Sequence, residues 1–107
     1  MNKIKILVVD EDKDTLNIVD DILVKKYELS QVVDSASTLH ILSSKNKPNL
    51  ILLDVNMLKT NGYELIKTIK SNPLTSEIPI VSMISDNNDV HKSFENIASD
   101  GVLNHFY

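Results

Sequence analysis

The chain has no cysteine among its 107 residues. That excludes a disulfide framework and a thiolate metal site, and it fits a reducing compartment such as the cytoplasm. Positive charge is also short. The formal net charge is −4 at pH 7, which argues against nucleic-acid binding by this domain, since a phosphate backbone calls for a basic patch. No apolar run approaches the roughly 20 residues of a membrane span. The apolar run behind the first lysines is too short for a signal peptide and ends in acids. There is no internal repeat and no low-complexity linker, and glycine and proline number only two and three. What remains is ordinary for a globular protein: 42% hydrophobic and 24% charged residues. A chain of 107 residues reads as one domain, large enough for a core without cross-links.

Two strand-like runs end in carboxylates. Residues 4–9 (Ile-Lys-Ile-Leu-Val-Val) lead into Asp10, Glu11 and Asp12, and residues 50–53 (Leu-Ile-Leu-Leu) lead into Asp54. Apolar runs of this length bounded by polar residues read as buried strands, which places each acid at a strand's carboxyl end. In open parallel α/β sheets that edge is where ligands bind. Three carboxylates meeting there, those of Asp10, Glu11 and Asp54, with no Lys or Arg beside them in sequence, repel each other. A hard divalent cation relieves that repulsion, and Mg²⁺ takes one or two carboxylates plus water and phosphate oxygens.

The rest of the chain alternates. A cap at Asp12 or Asp14 opens a helix to about Lys26, with Leu16, Val19, Ile22 and Leu23 on one face. A strand at 28–33 and a helix at about 36–44 follow. Lys47-Pro48-Asn49 is turn chemistry opening a strand at 50–54. Gly62 precedes a helix at about 63–70, with Leu65, Ile66 and Ile69 inward and Tyr63 at the core or its rim, and Ser71-Asn72-Pro73 stops it. A fourth strand spans 78–84, with Pro79 near its start, where a missing amide donor is tolerated. A helix at 89–99, Gly101, and a fifth strand from Val102-Leu103 complete the pattern. Strands alternating with single helices imply right-handed βαβ units and a parallel sheet covered on both faces.

With these residues in place the chain resembles, over its whole length, the receiver domain of two-component response regulators. Val8-Val9-Asp10-Glu11-Asp12 is similar to the family's acidic pair after strand 1, and Lys47 to Asp54 to the segment that carries its phosphorylated aspartate. The spacing from Asp54-Val55-Asn56-Met57 to Gly62, and the run Ile78-Pro79-Ile80-Val81, match as well. The resemblance implies a flavodoxin-like, doubly wound parallel sheet of five strands in the order 2-1-3-4-5. It implies Asp54 as phosphoacceptor and Mg²⁺ as cofactor. Glu11 and Asp54 would hold the ion through side chains, Asp10 mainly through water, and Asn56 through its backbone carbonyl. It further implies a histidine kinase or phosphotransfer protein as partner, a cytoplasmic location, and Mg²⁺-dependent self-phosphorylation rather than conventional turnover.

The chain also departs from the family pattern. The slot of the switch Thr or Ser falls on Ile84, with Ser85 adjacent and usable through a bulge. The lysine slot after strand 5 holds His105, followed by Phe106 where proline is usual; histidine, with a reference pKa near 6.5, is charged only part of the time. The aromatic switch position falls on Val102, and the proline after the Asp54-x-x-Met run is Leu58. Family members continue into a fifth helix, whereas this chain stops at Tyr107. The expectation is an apolar strip covered by a continuing parent chain, or by a second copy in a homodimer or helix exchange.

Other roles for these residues weigh differently. Asp12 and Asp14 read as caps and first-turn acids. Asp20-Asp21 and Lys25-Lys26 read as a solvated helix face, and His40 and His91 as surface positions. A phosphoaspartate hydrolase of the haloacid dehalogenase type also places a nucleophilic Asp after a strand, but it wants an acid two residues on, where this chain has Asn56. A degenerate receiver, working as a phosphorylation-independent interaction module, is the alternative to a phosphoacceptor.

Overall fold

A computed structural model describes residues 3–54 and 62–83 of the chain. In order these form β1 (Lys5–Val9), α1 (Lys13–Leu23), β2 (Glu28–Val32), α2 (Ser35–Leu42), β3 (Leu50–Asp54), α3 (Gly62–Ser71) and β4 (Ile80–Met83). The strands pair in parallel in the order β2-β1-β3-β4. That is the flavodoxin-like order as far as the described residues go. The fourth helix at 89–99, the fifth strand at Val102-Leu103 and the chain end at Tyr107 lie outside them.

Alternation along the strands builds two cores, one on each face of the sheet. Ile6, Val8, Leu52 and Val81 pack with Leu16, Val19 and Leu23 of α1. Leu7, Val9, Ile51, Leu53 and Ile80 pack with Leu42 of α2 and with Leu65, Ile66 and Ile69 of α3. Strands buried on both faces read as unbroken apolar runs rather than alternating ones, which is why Ile-Leu-Val-Val and Leu-Ile-Leu-Leu are so uniform. The edge strand β2 differs: Glu28, Ser30 and Gln31 are exposed and only Val32 is buried. A polar edge of that kind discourages pairing with another chain.

The helix starts are built by side chains. Asp12 caps α1, accepting from the Asp14 N–H at 3.1 Å, and Asp34 caps α2, accepting from the Ser37 N–H at 2.7 Å. Each supplies an acceptor for an amide that the helix leaves without one. The hydrogen bond from Ser37 holds the Asp34 carboxyl below its ordinary value.

Three sequence expectations need correction. Helix α1 ends at Leu23 rather than near Lys26, because the amides of both Lys26 and Tyr27 turn back to the Leu23 carbonyl. Tyr63 is 56% exposed instead of lying in the core or at its rim. The buried stripe of α3 runs through Gly62, Leu65, Ile66 and Ile69, and position 63 falls off it. The fourth strand starts at Ile80, since the Ile78 N–H is used in a turn with the Thr75 carbonyl. Pro79 stands just outside the strand, and its carbonyl still accepts from the Ile51 N–H at 3.0 Å.

Candidate functional site

The sheet register brings the two acidic strand ends together. Val9 pairs with Leu53 across β1 and β3, so the residues that follow them, Asp10 and Asp54, emerge side by side at the carboxyl edge. Val9 also pairs with Val32 of β2, and the Asp10 N–H extends that ladder by one bond, donating to the Val32 carbonyl at 3.0 Å. Asp54 closes β3 opposite Met83 of β4. Both acids are held by rigid strands and both are buried, at 2% and 7% exposure.

Burial is costly for a carboxylate, and Asp10 shows it. Its carboxyl is pushed up to about 6, chiefly by removal from water. The N–H of Asp12, donating to Asp10 Oδ1 at 2.9 Å, works in the opposite direction. The charges of Asp54 and Asp12, and a hydrogen bond between the Asp10 and Asp54 side chains, add to the upward push. Two adjoining buried acids, one of them reluctant to ionise, form a donor set that gains from a divalent cation.

The sequence reading named three acids, and the structure associates two of them directly. Glu11 is half-buried in the bend just past Asp10. No group of three His, Asp or Glu side chains among the described residues is arranged to hold a metal ion. A pair of carboxylates completed by water and phosphate oxygens is nevertheless what Mg²⁺ favours, because that ion keeps much of its hydration. Asn56, Ser85 and His105 lie outside the described residues, as do Leu58, Ile84, Val102 and Phe106. His40 is exposed on α2, as expected of a surface residue.

One feature of the site was not read from the sequence. Asp12, taken there simply as a cap, also touches Asp10 through its backbone N–H. Its carboxylate in turn accepts from the hydroxyl of Thr15, at 3.0 Å, and Thr15 is buried at 4% exposure. The signal available in the sequence was the Asp-x-Asp spacing, since an Asp side chain commonly accepts from the amide two residues on.

The comparisons with known proteins agree with this fold. The model of the response regulator receiver domain matches residues 6–106. A probable cyclic di-GMP phosphodiesterase of Vibrio cholerae is 32% identical over 105 residues, which are 96% of this chain and 24% of that protein. Response regulator Rcp1 of Synechocystis is 33% identical over 101 residues, covering 84% of this chain and 69% of Rcp1. The chain thus spans about a quarter of the first relative's length and just over two thirds of the second's. The crystal structure of the Mn²⁺-bound form of Rcp1 superposes with a TM-score of 0.67 at 31% identity, over 85% of this chain and 73% of that one. The phosphorylated cyanobacterial phytochrome response regulator RcpA gives a TM-score of 0.70 at 27% identity, over 87% of this chain and 74% of its own. With the 2-1-3-4 parallel sheet and the paired acids at its carboxyl edge, these matches lead to one conclusion: the chain belongs to the receiver-domain family of two-component response regulators, the domains of phosphorelay signalling.

Proposed function

We propose that Asp54 accepts the phosphoryl group and that Asp10 and Glu11 form with it the acidic part of a Mg²⁺ site. The observation that carries this reading is the Asp10–Asp54 pair, two buried carboxyls in contact at the carboxyl edge of the sheet. Such a pair is unfavourable for stability, and it has a use where a cation and a phosphoryl group are to be received. A bound Mg²⁺ would supply charge neutralisation, offsetting repulsion between an anionic nucleophile and an anionic phosphoryl group. The Asn56 carbonyl would complete the protein's share of the ligands. The Mn²⁺-bound Rcp1 and the phosphorylated RcpA support the two halves of the proposal by similarity.

The chain's own residues have a limited task. Asp54, held by β3, presents a carboxylate oxygen in a fixed direction. That oxygen forms a bond to phosphorus as the P–N bond of a donor phosphohistidine breaks, and the electron pair leaves with the imidazole, which then takes a proton. Positioning and electrostatics, rather than covalent chemistry by the protein, carry such a transfer. The acyl phosphate then shifts an equilibrium between two surface conformations. Ser85 and His105 stand in or beside the slots that would answer the phosphoryl group. Residues 1–107 act together as one receiver unit, with a histidine kinase or phosphotransfer protein as the phosphoryl source.

Intact-mass spectrometry after incubation with acetyl phosphate tests the proposal. We expect a single phosphoryl adduct that requires Mg²⁺ and is absent from Asp54→Asn. A folded protein that takes up no phosphoryl group would instead mark a degenerate receiver working through binding alone.

A further inference from the structure

We infer that Asp12 and Thr15 are positioning residues for Asp10, so that the cap of α1 sets the geometry of the cation site. This rests on the reading of Asp10 as part of a divalent-cation site. It concerns residues that the acidic pair and the phosphoacceptor leave unassigned.

Three hydrogen bonds link the first turn of α1 to Asp10. The buried Thr15 hydroxyl donates to Asp12 Oδ2 at 3.0 Å. The Asp14 N–H donates to Asp12 Oδ1 at 3.1 Å. Both carboxylate oxygens of Asp12 are therefore engaged on the first turn of α1. They hold the residue in an extended conformation, φ −92° and ψ 113°, outside the helix. In that conformation the Asp12 N–H points back along the chain and donates to Asp10 Oδ1 at 2.9 Å. One oxygen of Asp10 is thus committed, which fixes the rotation of its carboxyl beside Asp54.

The cap is itself anchored. The Leu16 N–H bonds to the Asp12 carbonyl at 3.1 Å, and Leu16, Val19 and Leu23 lock α1 onto β1 and β3 through the core. The orientation of Asp10 is therefore referred to a packed helix rather than to a loop, the arrangement that holds metal-binding groups best. The charge of Asp12 also acts on Asp10, but Asp12 is exposed, where solvent screens it, and its oxygens face the helix; the larger part is geometric. Asparagine keeps one oxygen for the Asp14 N–H, and its NH2 can donate to the Thr15 hydroxyl oxygen, so this neutral side chain should serve nearly as well.

The test is the Mg²⁺ dissociation constant, measured by isothermal titration calorimetry on the full chain. Asp12→Ala and Thr15→Val are expected to weaken binding about tenfold, at the low end of what orienting partners of metal-binding groups contribute. Thr15→Ser and Asp12→Asn should bind nearly as the unaltered chain does. Thr15→Val placed on Asp12→Ala should add nothing, because both act along one path. Asp34→Ala removes a cap of the same kind from α2, and it should lower the melting temperature without changing Mg²⁺ affinity. Unchanged affinity in both Asp12→Ala and Thr15→Val would overturn the inference. So would a loss in Asp12→Asn equal to that in Asp12→Ala, since charge rather than geometry would then be at work. An unaltered chain that binds no Mg²⁺, or an Asp10→Asn variant that binds it equally well, would overturn the proposed cation site and this inference with it.

Discussion

The two ends of the sheet treat polar groups in different ways. At the amino edge, where α3 returns to β4, three polar side chains bond to the backbone. Lys70 Nζ donates to the carbonyls of Ser76 at 3.1 Å and Ile78 at 2.7 Å. The buried Thr75 hydroxyl donates to the Ile69 carbonyl at 2.7 Å, and Asn72 Oδ1 accepts from the Leu74 N–H at 3.0 Å. At the carboxyl edge, Asp10 and Asp54 are set against each other, and the Asp10 carboxyl is driven up to about 6. Bonds to the backbone hold a loop in place, whereas acids brought together form a site suited to something of opposite sign.

Substitutions at the two edges should therefore fail differently. The largest effect is expected at the carboxyl edge. Asp10→Asn should lower Mg²⁺ affinity by about tenfold or more, on the scale set by groups around bound metals, and slow labelling by acetyl phosphate at limiting Mg²⁺. Calorimetry and timed intact-mass measurements check both. At the amino edge, Lys70→Met should cost stability alone, about 1–2 kcal/mol for two carbonyls left without their donor. Urea denaturation measures that loss, and the rate of labelling should stay unchanged. Thr75→Val should cost about 1 kcal/mol, again with no change in labelling.

A further prediction follows from the sign of the Asp10 shift. Its folded-state value lies above the ordinary 3.8, so the native state holds this proton more tightly than the unfolded chain does. The corresponding stability is fully present below about pH 4 and is lost as pH rises through about 6. In chelator, the melting temperature of Asp10→Asn relative to the unaltered chain should therefore climb across that interval. Mg²⁺ added at neutral pH should bring the unaltered chain back up, because a ligand of the native state stabilises it. A difference that stays flat with pH would show that Asp10 is not held as described.

Much of this was legible in the sequence, for identifiable reasons. The strand at 50–54 was read to the residue because Pro48-Asn49 and Asp54 bound an unbroken apolar run. Asp10 and Asp54 could be placed on one edge because parallel strands with helical crossovers end on the same side. The end of α1 was not legible, since Val24, Lys25 and Lys26 continue a helix-compatible composition and only the return of the backbone to Leu23 stops it. Tyr63 was misplaced because an aromatic residue beside an apolar stripe looks buried until the phase of the helix is known. The bond from Asp12 to Asp10 depends on the direction of one backbone N–H. The Asp-x-Asp spacing makes that direction common, but the spacing is equally that of a plain cap and does not by itself decide it.

The most direct measurement is to locate the modification. The chain would be incubated with acetyl phosphate and Mg²⁺, reduced with borohydride, digested, and sequenced by mass spectrometry. Reduction converts an aspartyl phosphate to homoserine. The account predicts homoserine at position 54 and nowhere else. Homoserine at another acid, or an unreduced phosphate on Ser or Thr, would contradict it.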